Sequence, residues 1–193
     1  MHATILLGTL KRSELSHTAT LCEFLAERMD RAGIGCEIVK LVDYEIPPGT
    51  YSSVGPGDQW PLILQKILRS DIVIFATPVW WGNQSSLIQR VFERLDELHD
   101  YLMDDKPSGL EGKVAGVVIT GDSDGAQNIT GHIFNFCSAM GLLIPPFATL
   151  SVLWDRHAKD SDASRGELLR KYEKDHAKDA EKMIEHLVAS VRA

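Results

Sequence analysis

Residues Asp71–Asn83, with the sequence DIVIFATPVWWGN, decide the fold expected of this chain. Ile72–Ala76 is a short apolar run, mostly β-branched or aromatic, of the kind found in strands buried on both faces of a parallel sheet. Pro78 cannot donate to a sheet ladder, and two tryptophans, a glycine and an asparagine follow. This pattern predicts a loop at the carboxyl end of the strand, with aromatic rings suited to a flat ligand.

Trp80 and Trp81 have two interpretations. A single tryptophan is most often a core residue. Two adjacent tryptophans framed by Pro78 and Gly82 fit a core less well, because neighbours on an irregular chain rarely point into one core together. We therefore interpret this loop as part of a binding site, with core filling as the alternative.

Composition favours one α/β domain over residues 1–193, large enough to bury a core without disulfides or metal. The formal net charge of -7 argues against nucleic acid or an anionic membrane as the main partner. No apolar run approaches the roughly 18 residues of a membrane span, and no basic region precedes the first apolar run. We expect a cytoplasmic protein whose Cys22, Cys36 and Cys137 are reduced fillers.

Strands and helices alternate along the chain. The predicted strands are Ala3–Leu7, Cys36–Leu41, Ile72–Ala76, Val114–Thr120 and part of Leu142–Leu153. Helices are predicted after the first strand up to Gly33, at about Leu62–Arg69, from Gln84, at Ile129–Met140, and at about 164–191. The last helix begins with capping-box spacing at Ser164 and Glu167. Its predicted inner stripe is Leu169, Tyr172, Ala180, Met183 and Leu187.

Parallel strands need crossover helices, so this alternation predicts a doubly wound parallel sheet. Ligands of such sheets bind outside the carboxyl ends of the strands. The loops after the first, third and fourth strands meet at that edge, and we expect them to form the site.

The first of these loops lacks both GxGxxG and the P-loop pattern, so neither a Rossmann-type dinucleotide site nor a nucleotide triphosphatase is supported. It carries hydroxyl and basic side chains just before a helix, whose amino end favours an anion. These side chains are Thr9, Lys11, Arg12, Ser13, Ser16 and Thr18. We expect a phosphate monoester here; the alternative is that Ser16 only caps the helix.

The third loop, Gly121–Gln127, contains DSDG, as calcium loops do, but lacks their downstream glutamate and flanking helix pair. We predict no metal site. The loop is better suited to a small-residue turn whose backbone amides face the polar edge of a planar ligand.

The segments GTLKRSELSHTATL (8–21), RSDIVIFATPVWWGNQSSLIQRVFERL (69–95) and Gly121–Gln127 resemble the flavin-binding loops of the NAD(P)H-dependent FMN reductase family. The resemblance covers most of Met1–Leu153. It implies a flavodoxin-like three-layer sandwich with a five-stranded parallel sheet in the order 2-1-3-4-5 and helices on both faces. In this chain His17 stands where asparagine is common, and Asp122 and Asp124 stand where glycines are common.

The resemblance also implies an FMN site. Around the phosphate it places Thr9, Lys11, Ser16, His17 and Thr18, with Arg12 close by. Along the ribityl chain and ring it places Pro78, Val79, Trp80, Trp81, Gly82 and Asn83. At the N3 and O2 side of the ring it places Gly121, Asp122, Ser123, Gly125 and Gln127.

The implied activity is transfer of hydride from NADPH or NADH through FMN to a small acceptor: a quinone, a nitro or azo compound, a metal ion or free flavin. No catalytic side chain is required, and Arg12 is a candidate for favouring NADPH. Family members are commonly oligomers, so we expect a homodimer or homotetramer. Tyr44–Trp60 and Glu93–Tyr101 are candidate contact surfaces; the alternative is a monomer with a mobile loop.

Other functions remain open at this point. A flavodoxin-like electron carrier would need an acidic docking face, for which Asp104, Asp105 and the segment Asp155–Asp162 are candidates. A flavin-free binding protein on the same fold is a further alternative. A Ser/His/Asp hydrolase is disfavoured because the chain lacks a GxSxG elbow.

Overall fold

The computed structural model describes residues 1–154 and 163–191. Its five strands form one parallel sheet in the order β2-β1-β3-β4-β5, as predicted. The strands are β1 (His2–Leu7), β2 (Gly35–Lys40), β3 (Ile72–Pro78), β4 (Val114–Asp122) and β5 (Thr149–Trp154). The helices are α1 (His17–Arg31), α2 (Trp60–Arg69), α3 (Ser86–Met103), α4 (Ala126–Ala139) and α5 (Arg165–Val191), with a 3-10 turn at Leu41–Asp43.

The sheet separates two hydrophobic cores. Buried residues of α1 and α5 pack on one face, and those of α2, α3 and α4 pack on the other. The central strands β1, β3 and β4 are buried on both faces, which explains their continuous apolar sequences. The predicted flavodoxin-like three-layer arrangement is therefore confirmed.

Several predicted details were wrong. On α5, Leu168 and Ile184 are buried in the core, whereas Leu169 only packs against its edge. Strand β3 continues beyond Ala76 to Pro78. Pro78 has no N–H to donate to the sheet. The next residue, Val79, donates its N–H to Thr120 O at 2.9 Å, so the hydrogen bonding to β4 continues past the proline.

Trp60 was assigned to a candidate contact surface, and that prediction is wrong. It is the first residue of α2 and is completely buried in the core. The sequence Gln59-Trp60-Pro61 starts the helix, since proline is favoured in the first turn.

The loop before α2 is held to α3 by a buried ion pair. Arg94 donates to both carboxylate oxygens of Asp58, at 3.2 and 2.7 Å, and both side chains are essentially buried. The same guanidinium donates to the carbonyls of Pro47 and Tyr51. This long loop is therefore fixed at its base, although it contains no regular helix or strand after Asp43.

Within residues 1–154 and 163–191, no helix is both long enough and apolar enough to cross a membrane. Among the same residues, no three His, Cys, Asp or Glu side chains cluster in a way that would hold a metal ion.

Cys22 and Cys137 are buried and Cys36 is half-buried, and all three are free thiols. Burial raises the pKa of Cys36 and Cys137 to about 12, so both thiols stay protonated at neutral pH.

Candidate functional site

A cavity of about 1000 Å³ opens at the carboxyl edge of the sheet. This is the upper end of the range for small-molecule sites, roughly 300–1,000 Å³. Its walls come from the loops after β1, β3 and β4 and from the end of β5. The lining residues are Thr9, Leu10, Lys11, Ser16, His17, Thr18, Pro78, Val79, Trp80, Trp81, Gly82, Thr120, Gly121, Asp122, Asp124, Gly125 and Trp154.

The first loop ends in a well-formed helix cap. Ser16 is the N-cap of α1, and its Oγ accepts a hydrogen bond from the Ala19 N–H at 3.2 Å. The same hydroxyl donates to Thr9 Oγ1 at 2.9 Å. The first turn of α1 contains no acidic residue, so no carboxylate within that turn offsets the positive end of the helix dipole.

Basic side chains organise this loop. Lys11 Nζ donates to Leu15 O at 2.8 Å, which folds the lysine over the loop while its ammonium retains further donors. Lys40, from the end of β2, donates to the Arg12 carbonyl. Backbone N–H groups of Glu14 and Ser13 lower the pKa of the Glu14 carboxyl. The loop is thus held by Lys11 through the Leu15 carbonyl and by Lys40 through the Arg12 carbonyl.

The second loop turns tightly between Trp80 and Asn83. The Trp80 N–H donates to Asn83 O at 2.8 Å, and the Asn83 N–H donates to Trp80 O at 2.9 Å. Trp81 and Gly82 between them have φ values of 49° and 76°. Trp80 is 49% exposed and Trp81 is 95% exposed. Core filling by these tryptophans is therefore ruled out, and both line the cavity.

The third loop packs directly on the second. Gly125, the N-cap of α4, has a φ of 98°. A Cβ at Gly125 would stand 2.3 Å from Gly82 Cα, so only glycine permits this approach. Asn128 Nδ2 donates to Gly82 O at 3.0 Å and ties α4 to the same turn.

Buried hydroxyls connect the loops beneath the cavity. Thr18 Oγ1 and Thr120 Oγ1 lie 2.6 Å apart and link α1 to β4. Thr77 Oγ1 accepts from the Ser85 N–H at 2.9 Å, which joins the end of β3 to the start of α3. Ser85 caps α3 and is buried, which gives this serine a structural role.

Most of the predicted site residues meet in this cavity. The predicted residues outside its lining are Arg12, Ser13, Asn83, Ser123 and Gln127. Asn83 closes the second-loop turn, so it shapes the cavity indirectly. The lining residues absent from the predicted set are Leu10, Thr120, Asp124 and Trp154. The ligand contacts assigned to the predicted residues remain predictions.

Trp154 is the lining residue that sequence reasoning could have found. It ends β5, so it reaches the same sheet edge as the other loops. Its ring lies 5.1 Å from the His17 ring in an edge-to-face contact. This contact joins the amino end of α1 to the fifth strand. The segment Asp155–Asp162 that follows lies outside the described residues.

A parallel sheet in this order, with a cleft over the ends of its first, third and fourth strands, defines a flavodoxin-like α/β protein. The family model for NADPH-dependent FMN reductase matches residues 1–153. The chain belongs to this family, as predicted. FMN and a reduced nicotinamide are the cofactors that the family's description implies.

Curated relatives extend beyond this chain. One is 8-demethyl-8-aminoriboflavin-5'-phosphate synthase of Streptomyces davaonensis, 31% identical over 158 residues, which make up 77% of this chain and 62% of that protein. Another is named divalent metal cation transporter MntH of Mycobacterium bovis, 31% identical over 153 residues. That match covers 77% of this chain and only 22% of the transporter. The chain thus spans less than two thirds of both relatives.

Among solved structures, RosB with its bound intermediate 8-demethyl-8-formylriboflavin-5'-phosphate superimposes with a TM-score of 0.79 at 25% identity. The superposition covers 100% of this chain and 79% of RosB. The fold of the described residues therefore matches that of a protein whose structure contains a flavin phosphate.

Proposed function

We propose that this chain is an FMN-dependent NAD(P)H oxidoreductase that passes hydride from NADPH or NADH to a small acceptor. We further propose that residues 1–193 form one flavodoxin-like FMN-binding domain. One observation carries the proposal: a single cavity joins an anion-favouring helix end to an aromatic wall. A ligand that carries both a phosphate monoester and a planar ring system requires this combination.

The residues of the cavity fit FMN. The amino end of α1 offers backbone N–H groups and a positive dipole to the phosphate, and Lys11 adds a formal positive charge. Thr9, Ser16 and Thr18 are buried and bound to one another or to Thr120, so they set the shape of this pocket. Preorganised donors of this kind bind an anion without a large ordering cost.

The remaining walls would hold the flavin ring. FMN, when bound, supplies hydride transfer, so the protein needs no nucleophile or acid of its own. Trp80 and Trp154 bound the cavity with flat apolar surfaces that exclude water from the ring. The backbone amides of the Gly121–Gln127 loop are the candidate donors to the polar edge of the ring.

The proposed sequence is ping-pong: the nicotinamide leaves after it has given up its hydride, and the acceptor then binds in its place. The candidate acceptors are quinones, nitro or azo compounds, metal ions and free flavin. Arg12 remains a candidate for favouring NADPH, because its exposed guanidinium belongs to the basic loop beside the cavity.

Oligomerisation is also part of the proposal, as a homodimer or homotetramer. With Trp60 buried, the remaining candidate surface contains Tyr51, which is 63% exposed, and Tyr101, which is 38% exposed. The loop that presents Tyr51 is fixed to α3 through Arg94, so its shape is defined before any partner binds.

The electron-carrier alternative receives no specific support. Of the acidic residues proposed for its docking face, Asp104 accepts a hydrogen bond from Lys106 Nζ at 2.8 Å, and Asp155–Asp162 lie outside the described residues. That ion pair reduces the negative charge presented to a partner.

Initial-rate kinetics test the proposal. The FMN-loaded protein is assayed with varied NADPH at several fixed concentrations of menadione, a quinone. Parallel double-reciprocal lines support the two-step sequence, since one product leaves before the second substrate binds. Failure of NADPH and NADH to reduce the FMN-loaded protein would contradict the proposed activity.

A further inference from the structure

Trp81 combines features that the fold itself does not require. Trp81 lines the cavity, yet the residue is 95% exposed. Its backbone has a φ of 49°, a region that bulky residues rarely adopt. An exposed indole and a strained backbone both disfavour the native state, so their combination indicates a role in binding.

The strain comes from the kind of turn. Trp80 and Asn83 exchange both of their backbone hydrogen bonds, and the two residues between them have positive φ. This is the pattern of a type I′ turn, whose first central position prefers Asn, Asp or Gly. Gly82 suits the second position, whereas Trp81 occupies the first against this preference.

The surrounding structure holds the turn in place. Asn83 Nδ2 donates to Trp81 O at 3.1 Å, and Asn128 Nδ2 donates to Gly82 O at 3.0 Å. On the other side, Gly125 packs against Gly82 with no room for a Cβ. Trp81 is therefore presented at the cavity mouth by a fixed backbone.

The two tryptophans differ in solvent exposure, and this difference indicates different roles. Trp80 is half-buried at the wall, where it suits the bound cofactor, while Trp81 stands almost entirely in solvent. We propose that the Trp81 indole is the stacking platform for the acceptor, and that the acceptor class is planar and aromatic. This inference rests on the proposed function and narrows it to quinones, nitroarenes, aromatic azo compounds or free flavin.

Stacking on indole explains why a residue that strains the turn is present. A planar acceptor placed between the cofactor site and Trp81 would bury the exposed indole face, with aromatic contact added to apolar burial. A metal ion or a small inorganic complex gains nothing from such a surface. Trp81 is thus a specificity-determining residue for the second step.

The test variant is Trp81→Asn, with Trp81→Phe as the matched control that keeps a ring. Binding of menadione to the oxidised, FMN-loaded protein is measured by equilibrium dialysis without NADPH, so no turnover occurs. We expect the menadione Kd to rise about tenfold in Trp81→Asn and about threefold or less in Trp81→Phe. Equal Kd values in all three proteins would overturn the inference.

Turnover supplies a second readout. In Trp81→Asn, kcat/KM for menadione should fall about tenfold further than kcat/KM for ferricyanide, which has no aromatic ring. Equal losses for the two acceptors would overturn the platform role. If the parental protein accepts hydride from neither NADPH nor NADH, the proposed function fails as well, whereas a failure confined to the menadione comparison removes only this inference.

Stability gives a readout that is independent of the cofactor. Trp81→Asn creates the preferred Asn-Gly turn, so we expect Tm of the FMN-free protein to rise by about 2–4 °C while menadione binding weakens. A fall in Tm together with unchanged menadione binding would make Trp81 a structural residue. Conversion of an oligomer to a monomer in Trp81→Asn, with unchanged menadione binding, would assign Trp81 to a subunit contact and overturn the inference.

Discussion

Two glycines of α4 should respond to alanine in opposite directions. Gly125 caps the helix with a φ of 98°, and a Cβ there would lie 2.3 Å from Gly82 Cα and 2.7 Å from the Gly82 carbonyl carbon and oxygen. Gly131 lies inside the same helix, and a Cβ there would meet nothing within 4 Å. The pair therefore separates a glycine that shapes the site from one that affects only helix stability.

The structure sets the size of both effects. Carbon atoms pack at about 3.5–4.0 Å, so Gly125→Ala must move the second and third loops apart by more than about 1 Å. A left-handed backbone costs an L-residue about 1–2 kcal/mol, and with the lost packing we expect about 3 kcal/mol of destabilisation in total. Gly131→Ala should stabilise by about 0.5–1 kcal/mol, since alanine is the better helix former.

Thermal unfolding of the FMN-free protein and FMN titration measure both consequences. At about 2–4 °C per kcal/mol for a chain of this size, Tm should fall by about 6–12 °C in Gly125→Ala and rise by about 1–4 °C in Gly131→Ala. FMN affinity should fall at least about tenfold only in Gly125→Ala, because its loops line the cavity. Parental Tm and FMN affinity in Gly125→Ala would refute the role given to this loop contact.

Two further predictions concern the phosphate end of the cavity and the base of the long loop. Replacing Ser16 and Thr18 together with alanine should weaken FMN binding by about 1–3 kcal/mol. The variant loses two hydroxyl donors, the side-chain cap of α1 and the Thr18–Thr120 hydrogen bond. An unchanged Kd would place the phosphate elsewhere. Burial alone would raise the pKa of Asp58, but hydrogen bonds from Arg94 and from backbone N–H groups lower it below 3.8. Its contribution to the free energy of unfolding is present above about pH 4 and should be lost as pH falls through the lowered pKa; urea unfolding that is equally acid-sensitive in Asp58→Asn would contradict this assignment.

The sequence was sufficient to predict features that depend on local pattern. Buried parallel strands are continuous apolar runs, and Ile72–Ala76 is such a run, with loop residues following Pro78. Once the strands alternate with helices, the sheet edge that carries the site follows from topology alone. This is why most residues of the three predicted loops line one cavity.

Features that depend on distant partners were not predictable. Trp60 was assigned to a contact surface, because its buried surroundings come from other elements packed on the sheet. Asp58 and Arg94 pair across 36 positions, and no sequence spacing marks such a pair. Leu168 and Leu169 are adjacent, so a rotation of about 100° decides which one is buried, and the sequence pattern did not fix that angle.

The remaining differences between the predicted and the observed lining depend on where the strands end. Thr120 belongs to β4 and Trp154 to β5, and both enter the cavity because their strands extend to its edge. Ser123 follows Asp122 in the third loop, and Gln127 is the second residue of α4, yet both lie outside the lining. Neighbours in a tight turn point in different directions, so one predicted loop contributes only part of its residues.

FMN binding and hydride transfer are tested most directly by the visible absorption spectrum of the purified protein after mixing with FMN and desalting, followed by NADPH without oxygen. We expect the yellow colour to be retained and to bleach within seconds after NADPH is added. Retained colour that NADPH and NADH leave unchanged would contradict the reductase activity and favour an electron carrier. Complete loss of FMN on desalting, with no binding in a direct titration, would contradict the assignment of the cavity to FMN.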